Sequence, residues 1–469
     1  MWQTSEPLLS SIIERSRSNY KHELLLSNLA GIPVAQQHGS DDDNVPVFHA
    51  RLMHERLDRI HWPSNYEELP GKGHWYKGVM TTPFLRNFYA TMVNRSIAST
   101  MSTASHDLFP TWTTFSSRSS SRMNRETFTI TVPASGYMGS KEGIQVDQLQ
   151  SPDTNGKLRV QRKIKTRIWH IRTYNIHRFH LSRVAPRIST PVMIVLDQLH
   201  GPFHVDPDQL HQTWYLKMGD GSWTVSHDPR WRTLDQRHGR QLGAADAILR
   251  TQGTFSIFMC TPGIDRVALQ VSQNLMQYYA ADARIHKGCF KQKNLQHPGN
   301  IITLAVGQDL PPSQLPSFPI RNHRDGLVIL STPRHRHEYR DDYKDGYKDG
   351  YKDGYKDGYK DGFRDEFRHM YRHEYLYEHE PGLGAVFLRP LGNERLELVI
   401  WGSDLAGLRQ AARLVPSLTG SGQPEFVILG DRCRWEGLAG VYSAGHFDRS
   451  WQISGSYHSV DASYPVDAS

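Results

Sequence analysis

Residues 343–362 are the tetrapeptide Tyr-Lys-Asp-Gly written five times without a substitution. This tract limits the fold more than any other feature. It offers no aliphatic side chain to a core, and it lies between two groups of apolar segments that read as strands. The period of four runs outward through Tyr339, Phe363, Phe367, Tyr371 and Tyr375. A helix would line such residues on one stripe, but a glycine at every fourth position costs ~1 kcal/mol each relative to alanine. The tract is therefore expected to be disordered or only transiently turned, with the glycine-free flank 363–377 the better helix candidate. Its uniformity reads as expansion of a short repeat, and the functional alternative is a sticky aromatic and charged interaction tract. The flanking His335, His337, His369, His373 and His379 lack the ordered spacing of metal ligands. No metal and no cofactor is expected.

Around this insert the hydrophobic period changes along the chain. In the first ~95 residues helical and strand patterns alternate. Residues 5–28 are helical, 32–36 a strand, 47–57 a helix, 65–69 a strand and 84–93 a helix. Such an order belongs to an open, mostly parallel sheet. A Ser/Thr-rich linker follows at 97–125. Between 126 and 236 the period becomes two, as in Phe128, Ile130 and Val132 or Leu158 and Val160, which predicts a β-rich domain. Residues 237–333 and 381–450 read as a second α/β domain, interrupted by the low-complexity insert 334–380. In it 239–250, 266–280 and 405–415 are helical, and 254–259, 301–306, 327–330, 385–389, 396–401 and 425–429 are strands. Residues 451–469 are a tail.

Composition removes several classes of protein. Hydrophobic residues are 38% of the chain, enough for cores but below the usual ~45–50%. No apolar run approaches the ~18–20 residues of a membrane-spanning helix, so no membrane partner is expected. The first residues lack the basic, apolar and small-residue order of a signal peptide. Three cysteines, Cys260, Cys289 and Cys433, are too few for a disulfide scaffold or a cysteine zinc module, and they leave the compartment unknown, extracellular included. The net charge of +7 is mild for this length. Its densest basic stretch, 159–187, reads as a solvated face rather than a nucleic-acid surface, since no nucleic-acid fold signature accompanies it.

The stretch richest in chemistry is 37–45, Gln-His-Gly-Ser-Asp-Asp-Asp-Asn-Val, together with 71–75, Gly-Lys-Gly-His-Trp. A serine-hydrolase triad needs an acid on a loop after a late strand, aimed at the imidazole Nδ1–H, where it fixes the tautomer and stabilises the imidazolium. It needs the histidine on a flexible turn after the last strand, and the glycines before His74 permit that turn. In these residues the chain resembles the prolyl oligopeptidase family, in its dipeptidyl-peptidase-like branch. That family carries H-G-x-x-D-D-N-V followed some thirty residues later by G-x-G-H. The match places the triad acid at Asp42 and the triad histidine at His74. The implied fold class is α/β: the C-terminal part of an α/β-hydrolase sheet at 1–96, then a β-rich middle domain and a second α/β domain with the disordered repeat insert. The implied activity is serine-type peptidase or related ester or amide hydrolysis, with a peptide or ester as substrate in a full-length form. Oligomeric state is not legible.

One part of the pattern is absent. The family's nucleophile sits in G-x-S-x-G, well upstream of the acid, and the 41 residues before Asp42 contain no such motif. The nearest imitation, 440–445, has Val441 in place of the first glycine, lies on the wrong side of the acid, and reads as a turn. The chain is therefore expected to be a truncated form, catalytically inactive as it stands, with exposed apolar edges on its N-terminal piece. Residues 139–149, 237–250 and 381–420 are similar to the long C-terminal extension of large fungal proteins whose front part is such a hydrolase. Two other readings stay open. One is a non-catalytic binding protein built from the β-rich and C-terminal domains, suggested by Trp214, Tyr215, Trp223 and Trp231, although a core role would account for most of these. The other is a nucleic-acid binder using the basic chain and its aromatic repeat, which is the weaker of the two.

Overall fold

The computed structural model describes residues 6–29, 32–60, 64–101, 127–133, 140–152, 154–163, 165–181, 191–198, 200–290, 298–331, 373–417, 421–459 and 464–465. The Tyr-Lys-Asp-Gly tract, His335, His337 and His369 lie outside them, as do residues 102–125 of the expected linker. The described residues form an α/β structure rich in sheet, with helices and several mixed sheets.

Helix α1 (Pro7–Ser16) opens with Pro7 in its first turn and Glu6 accepting from Leu8 N at 3.1 Å. These are favourable N-terminal features, because proline has no N–H to leave unpaired and a carboxylate can take one of the orphan donors. Its apolar face, Leu9 and Ile12, does not pack on the strands that follow. It is buried against Val427, Leu429, Val441 and Ala444 of the C-terminal sheet. A short helix α2 (His22–Leu25) and a 3-10 turn then reach the middle of the molecule, where Asn28 pairs through its side chain with the backbone of Thr131 at 2.7 Å on both sides.

Next come β1 (Val34–Gly39), α3 (Phe48–Arg59), β2 (Ser64–Leu69) and α4 (Pro83–Met101). The two strands are parallel, in register from Val34 opposite Ser64 to Gly39 opposite Leu69. This matches the alternation seen in the sequence, with strand and helix ends shifted by a few residues; α4 continues into the stretch read as linker. Arg51 of α3 clamps Glu68 of β2 through two nitrogens, at 2.8 and 2.5 Å.

The middle residues build two five-stranded sheets. One contains β3 (Thr127–Val132), β6 (Gly156–Lys163), β7 (Ile168–Tyr174), β9 (Met193–Leu196) and β10 (His200–His204). The other contains β4 (Ser140–Lys141), β5 (Ile144–Leu149), β8 (Ile176–Leu181), β11 (Trp214–Lys217) and β12 (Trp223–Ser226). A shared core of Phe128, Leu158, Val160, Trp169, Phe179 and Tyr215 lies between them. Alternation explains it: in β6, Leu158 and Val160 are buried while Lys157, Arg159 and Gln161 are exposed.

The segment 239–250, expected to be helical, forms two 3-10 turns instead, Gly239–Gln241 and Ala245–Leu249. Gly239 at φ +55° and Gly243 at φ +134° break the helix that the surrounding apolar residues suggest.

The C-terminal sheet is mixed. Strands β13 (Phe255–Met259), β14 (Ala283–Lys287), β15 (Ile301–Val306) and β20 (Arg395–Gly402) run parallel in the order β14-β13-β15-β20. Antiparallel β19 (Gly384–Leu391), β21 (Phe426–Leu429), β22 (Val441–Phe447) and β23 (Ile453–His458) continue it. Helices α5 (Asp265–Tyr279) and α6 (Leu405–Ala412) lie at the positions expected. Strands β19 and β20 are buried along their whole length, which fits their near-continuous apolar sequence. Cys260 and Cys289, just beyond β13 and β14, form a disulfide.

Three expectations fail in this half. His373–Glu378, inside the expected helical flank, is a strand, β18, paired with β17 (Gly326–Ser331) in a small sheet that also holds β16 (Ile320–His323). The stretch read as a tail supplies β23 and β24 (Tyr464–Pro465), the latter pairing with β18. The 440–445 stretch is mostly strand β22 rather than a turn.

Candidate functional site

The two loops that leave the carboxyl ends of β1 and β2 meet, and Gly39 is the reason they can. A Cβ built there would stand 2.2 Å from the carbonyl oxygen of Lys72, so only glycine lets the 71–74 turn cross β1 so closely. Backbone hydrogen bonds fasten the crossing, Ser40 N to Leu69 O at 3.0 Å and Asp41 N to Lys72 O at 2.9 Å. Gly71 takes φ +68° and donates its N–H to Ser40 Oγ at 2.9 Å. The crossing carries His74 over the 41–45 loop.

Asp42 and His74, the two residues singled out in the sequence, are brought together. Their side chains meet with Nδ1 of His74 2.9 Å from Oδ2 of Asp42, although 32 residues separate them. Asp42 is held from its other side by its own loop, since Oδ1 accepts from the N–H of Asn44 at 3.0 Å and of Val45 at 2.8 Å. Its side chain is only 5% exposed. Burial alone would raise the carboxyl's pKa. The Val45 N–H, the His74 ring and the Asn44 N–H outweigh burial and hold it below the ordinary aspartate value. The carboxylate therefore stays ionised and faces Nδ1, which makes Nδ1 the protonated nitrogen of a neutral His74. Among the described residues no group hydrogen-bonds Nε2 of His74. The ring stands edge-on to Trp75, itself 81% exposed.

His38, the first residue of the motif, and other residues without a signal of their own in the sequence support the pair. His38 places Nε2 3.2 Å from Asp42 Oδ2 and 2.9 Å from the carbonyl of Val45, closing the acid loop. Gln37 reaches across to the second loop, donating to Tyr76 Oη at 2.7 Å and to Val79 O at 3.0 Å and accepting from the Thr82 hydroxyl. These pairs are 39 to 45 residues apart and follow from parallel pairing of β1 with β2. Only the strand register could have indicated them.

The other constellations lie elsewhere. Ser443, the serine of the imperfect 440–445 motif, is fully buried in β22 and donates to Tyr457 O at 2.9 Å. No strand-to-helix turn presents it. Trp214, Tyr215 and Trp223 are buried, which assigns these three aromatics to packing. Among the described residues no group of three or more His, Cys, Asp or Glu side chains could hold a metal ion.

No family model matches the chain. It is similar to an uncharacterized secreted protein of Arthroderma benhamiae. The identity is 40% over 455 residues, covering 97% of this chain and 42% of that protein. The chain thus spans less than half the length of the relative it matches. No helix among the described residues is long and apolar enough to cross a membrane.

Proposed function

We propose that residues 34–101 are the acid–histidine end of an α/β-hydrolase sheet of the prolyl oligopeptidase type. The serine that Asp42 and His74 serve would then lie on polypeptide outside these 469 residues. The observation that carries the reading is the Asp42–His74 pair, formed after consecutive parallel strands with Nε2 of the histidine unengaged among the described residues. In a triad, Nε2 takes the serine proton during attack and returns it to the leaving group, while the aspartate holds the ring and stabilises its cation. The sheet supports the same reading, because Phe48, Trp75 and Met80 stay exposed beside it and a parallel sheet of two strands is ordinarily completed by further strands. The relative's greater length leaves ample chain for them. The substrate class would be a peptide or ester, cleaved by acyl transfer.

A fluorophosphonate probe tests this. The 469-residue chain should remain unlabelled. The longer Arthroderma protein should label on one serine, and replacing the histidine aligned with His74 by alanine should reduce labelling by roughly four orders of magnitude or more. Labelling of the short chain, or of the longer protein without its histidine, would sink the proposal. Secretion is the compartment we favour, on the description of the relative and on the Cys260–Cys289 disulfide, a bond that persists in oxidising surroundings.

A further inference from the structure

The basic stretch 159–187 leaves one cation in an unusual place. Arg178 lies on β8 directly opposite Leu216 of β11, on the outer face of its sheet, yet it is only 7% exposed. Its Nε donates to Gln148 Oε1 at 3.2 Å. The Trp231 ring covers the guanidinium, whose carbon lies 4.1 Å from the ring centre. Among the described residues no carboxylate pairs with it. The neighbouring acid, Asp147, is engaged by His180 Nδ1 at 2.8 Å.

Further positive charge surrounds it. Arg232 sits over both Trp214 and Trp231, at 5.3 and 5.4 Å. Arg449, from the loop between β22 and β23, also acts on Arg178. Burial pushes the Arg178 guanidinium down to about 10; Asp147 opposes this, and Arg449 and Arg232 add to it. A buried cation among other cations is costly unless an anion joins it.

A cavity of about 490 Å³ opens at this point, lined by Arg178, Leu216, Ser226, Asp228, Arg230 and Trp231. Its one lining carboxylate is already neutralised, since Asp228 is gripped by Arg230 through Nε at 2.9 Å and Nη2 at 2.7 Å. What remains is an unpaired guanidinium, a hydroxyl from Ser226 and an apolar wall made by Leu216 and Trp231.

We propose that this cavity binds a small organic acid, with its carboxylate on Arg178 and its apolar body against Leu216 and Trp231. A guanidinium presents parallel N–H donors that match a carboxylate. Arg232 and Arg449 raise the local positive potential, and the indole face provides a desolvated wall. This site is independent of Asp42 and His74 and stands or falls without them.

Phenylacetate, phenylacetamide and inorganic phosphate titrated into the full chain by calorimetry at fixed ionic strength decide the matter. Phenylacetate should bind saturably at one site. The neutral amide should bind roughly tenfold more weakly or not at all, the worth of one charge-assisted contact. Arg178→Met should abolish binding. Arg232→Gln alters an exposed side chain, so it keeps the test alive if the buried substitution fails to fold; it should weaken phenylacetate several-fold. Absence of saturable binding, equal binding of acid and amide, or unchanged affinity in Arg232→Gln would overturn the site. Phosphate binding more tightly than phenylacetate would overturn the organic-acid assignment.

Discussion

Arg237 shows how one residue can fasten the segment after β12 to the C-terminal sheet. Its guanidinium is buried with Glu425, one Nη1–Oε2 contact being 2.9 Å, and it also donates to the carbonyls of Gln241, Gly243 and Phe447. Glu425 in turn accepts from Phe447 N at 2.6 Å. Every strong donor and acceptor of the pair is therefore used, the condition under which a buried ion pair is tolerable. Removing one partner strands the other. Arg237→Met should lower unfolding stability by roughly 3–5 kcal/mol, measured by urea denaturation, whereas Arg230→Met, at a mostly exposed pair, should change it by under about 1 kcal/mol. Neither Arg237 nor Glu425 is distinguishable in the sequence from the other charged residues near it. Asp42 and His74 are, because their neighbours form a motif with turn glycines at defined offsets. The candidate site was legible for that reason, while the residues that brace it, Gln37 and Tyr76, were not.

At the scale of elements, the sequence speaks clearly where one period dominates. Strand β1, helix α3 and strand β2 lie close to their expected positions, as do α5 and the buried runs of β15, β19 and β20. The failures have local causes. In 363–377 the i, i+4 aromatics imitate a helical stripe, but the described residues 373–377 belong to strand β18, where Tyr377 is buried and Tyr375 stacks on His458 at 3.9 Å. Strand β23, Ile-Ser-Gly-Ser-Tyr-His, has too little apolar content to announce itself and depends on its partner β22. Helix α1 is legible as a helix, but not its destination, since nothing in Leu9 or Ile12 names the distant β21 and β22. That docking has a measurable size. Ile12 is 1% exposed, and Ile12→Ala should cost roughly 2–4 kcal/mol through lost burial and the cavity left behind. Leu8→Ala, on the half-exposed side of the same helix, serves as the control and should leave the urea midpoint nearly unchanged.

Across the whole molecule, burial is distributed unevenly, and stability should follow it. The C-terminal sheet has one extended core, which reaches from Ala247 through Ile302, Phe387 and Trp401 to Ile453. Strands β19 and β20 are buried at every position. Strands β1 and β2 have Gly39 as their one buried residue, and helix α3 buries Leu57 alone. Regions with few buried apolar contacts open at lower free energy than the molecule as a whole. Hydrogen exchange read by mass spectrometry should therefore show 34–39 and 64–69 exchanging at least about a hundredfold faster than 384–391 and 395–402. Equal protection of the two regions would contradict this account of the sheet. The same measurement bears on the proposed hydrolase. If additional strands complete the β1–β2 sheet in the longer Arthroderma protein, the aligned segments there should gain protection while the C-terminal sheet keeps its own. The Asp–His pair would then be held on a covered, less mobile sheet, as a catalytic group must be if its hydrogen bonds are to stay aligned through proton transfer.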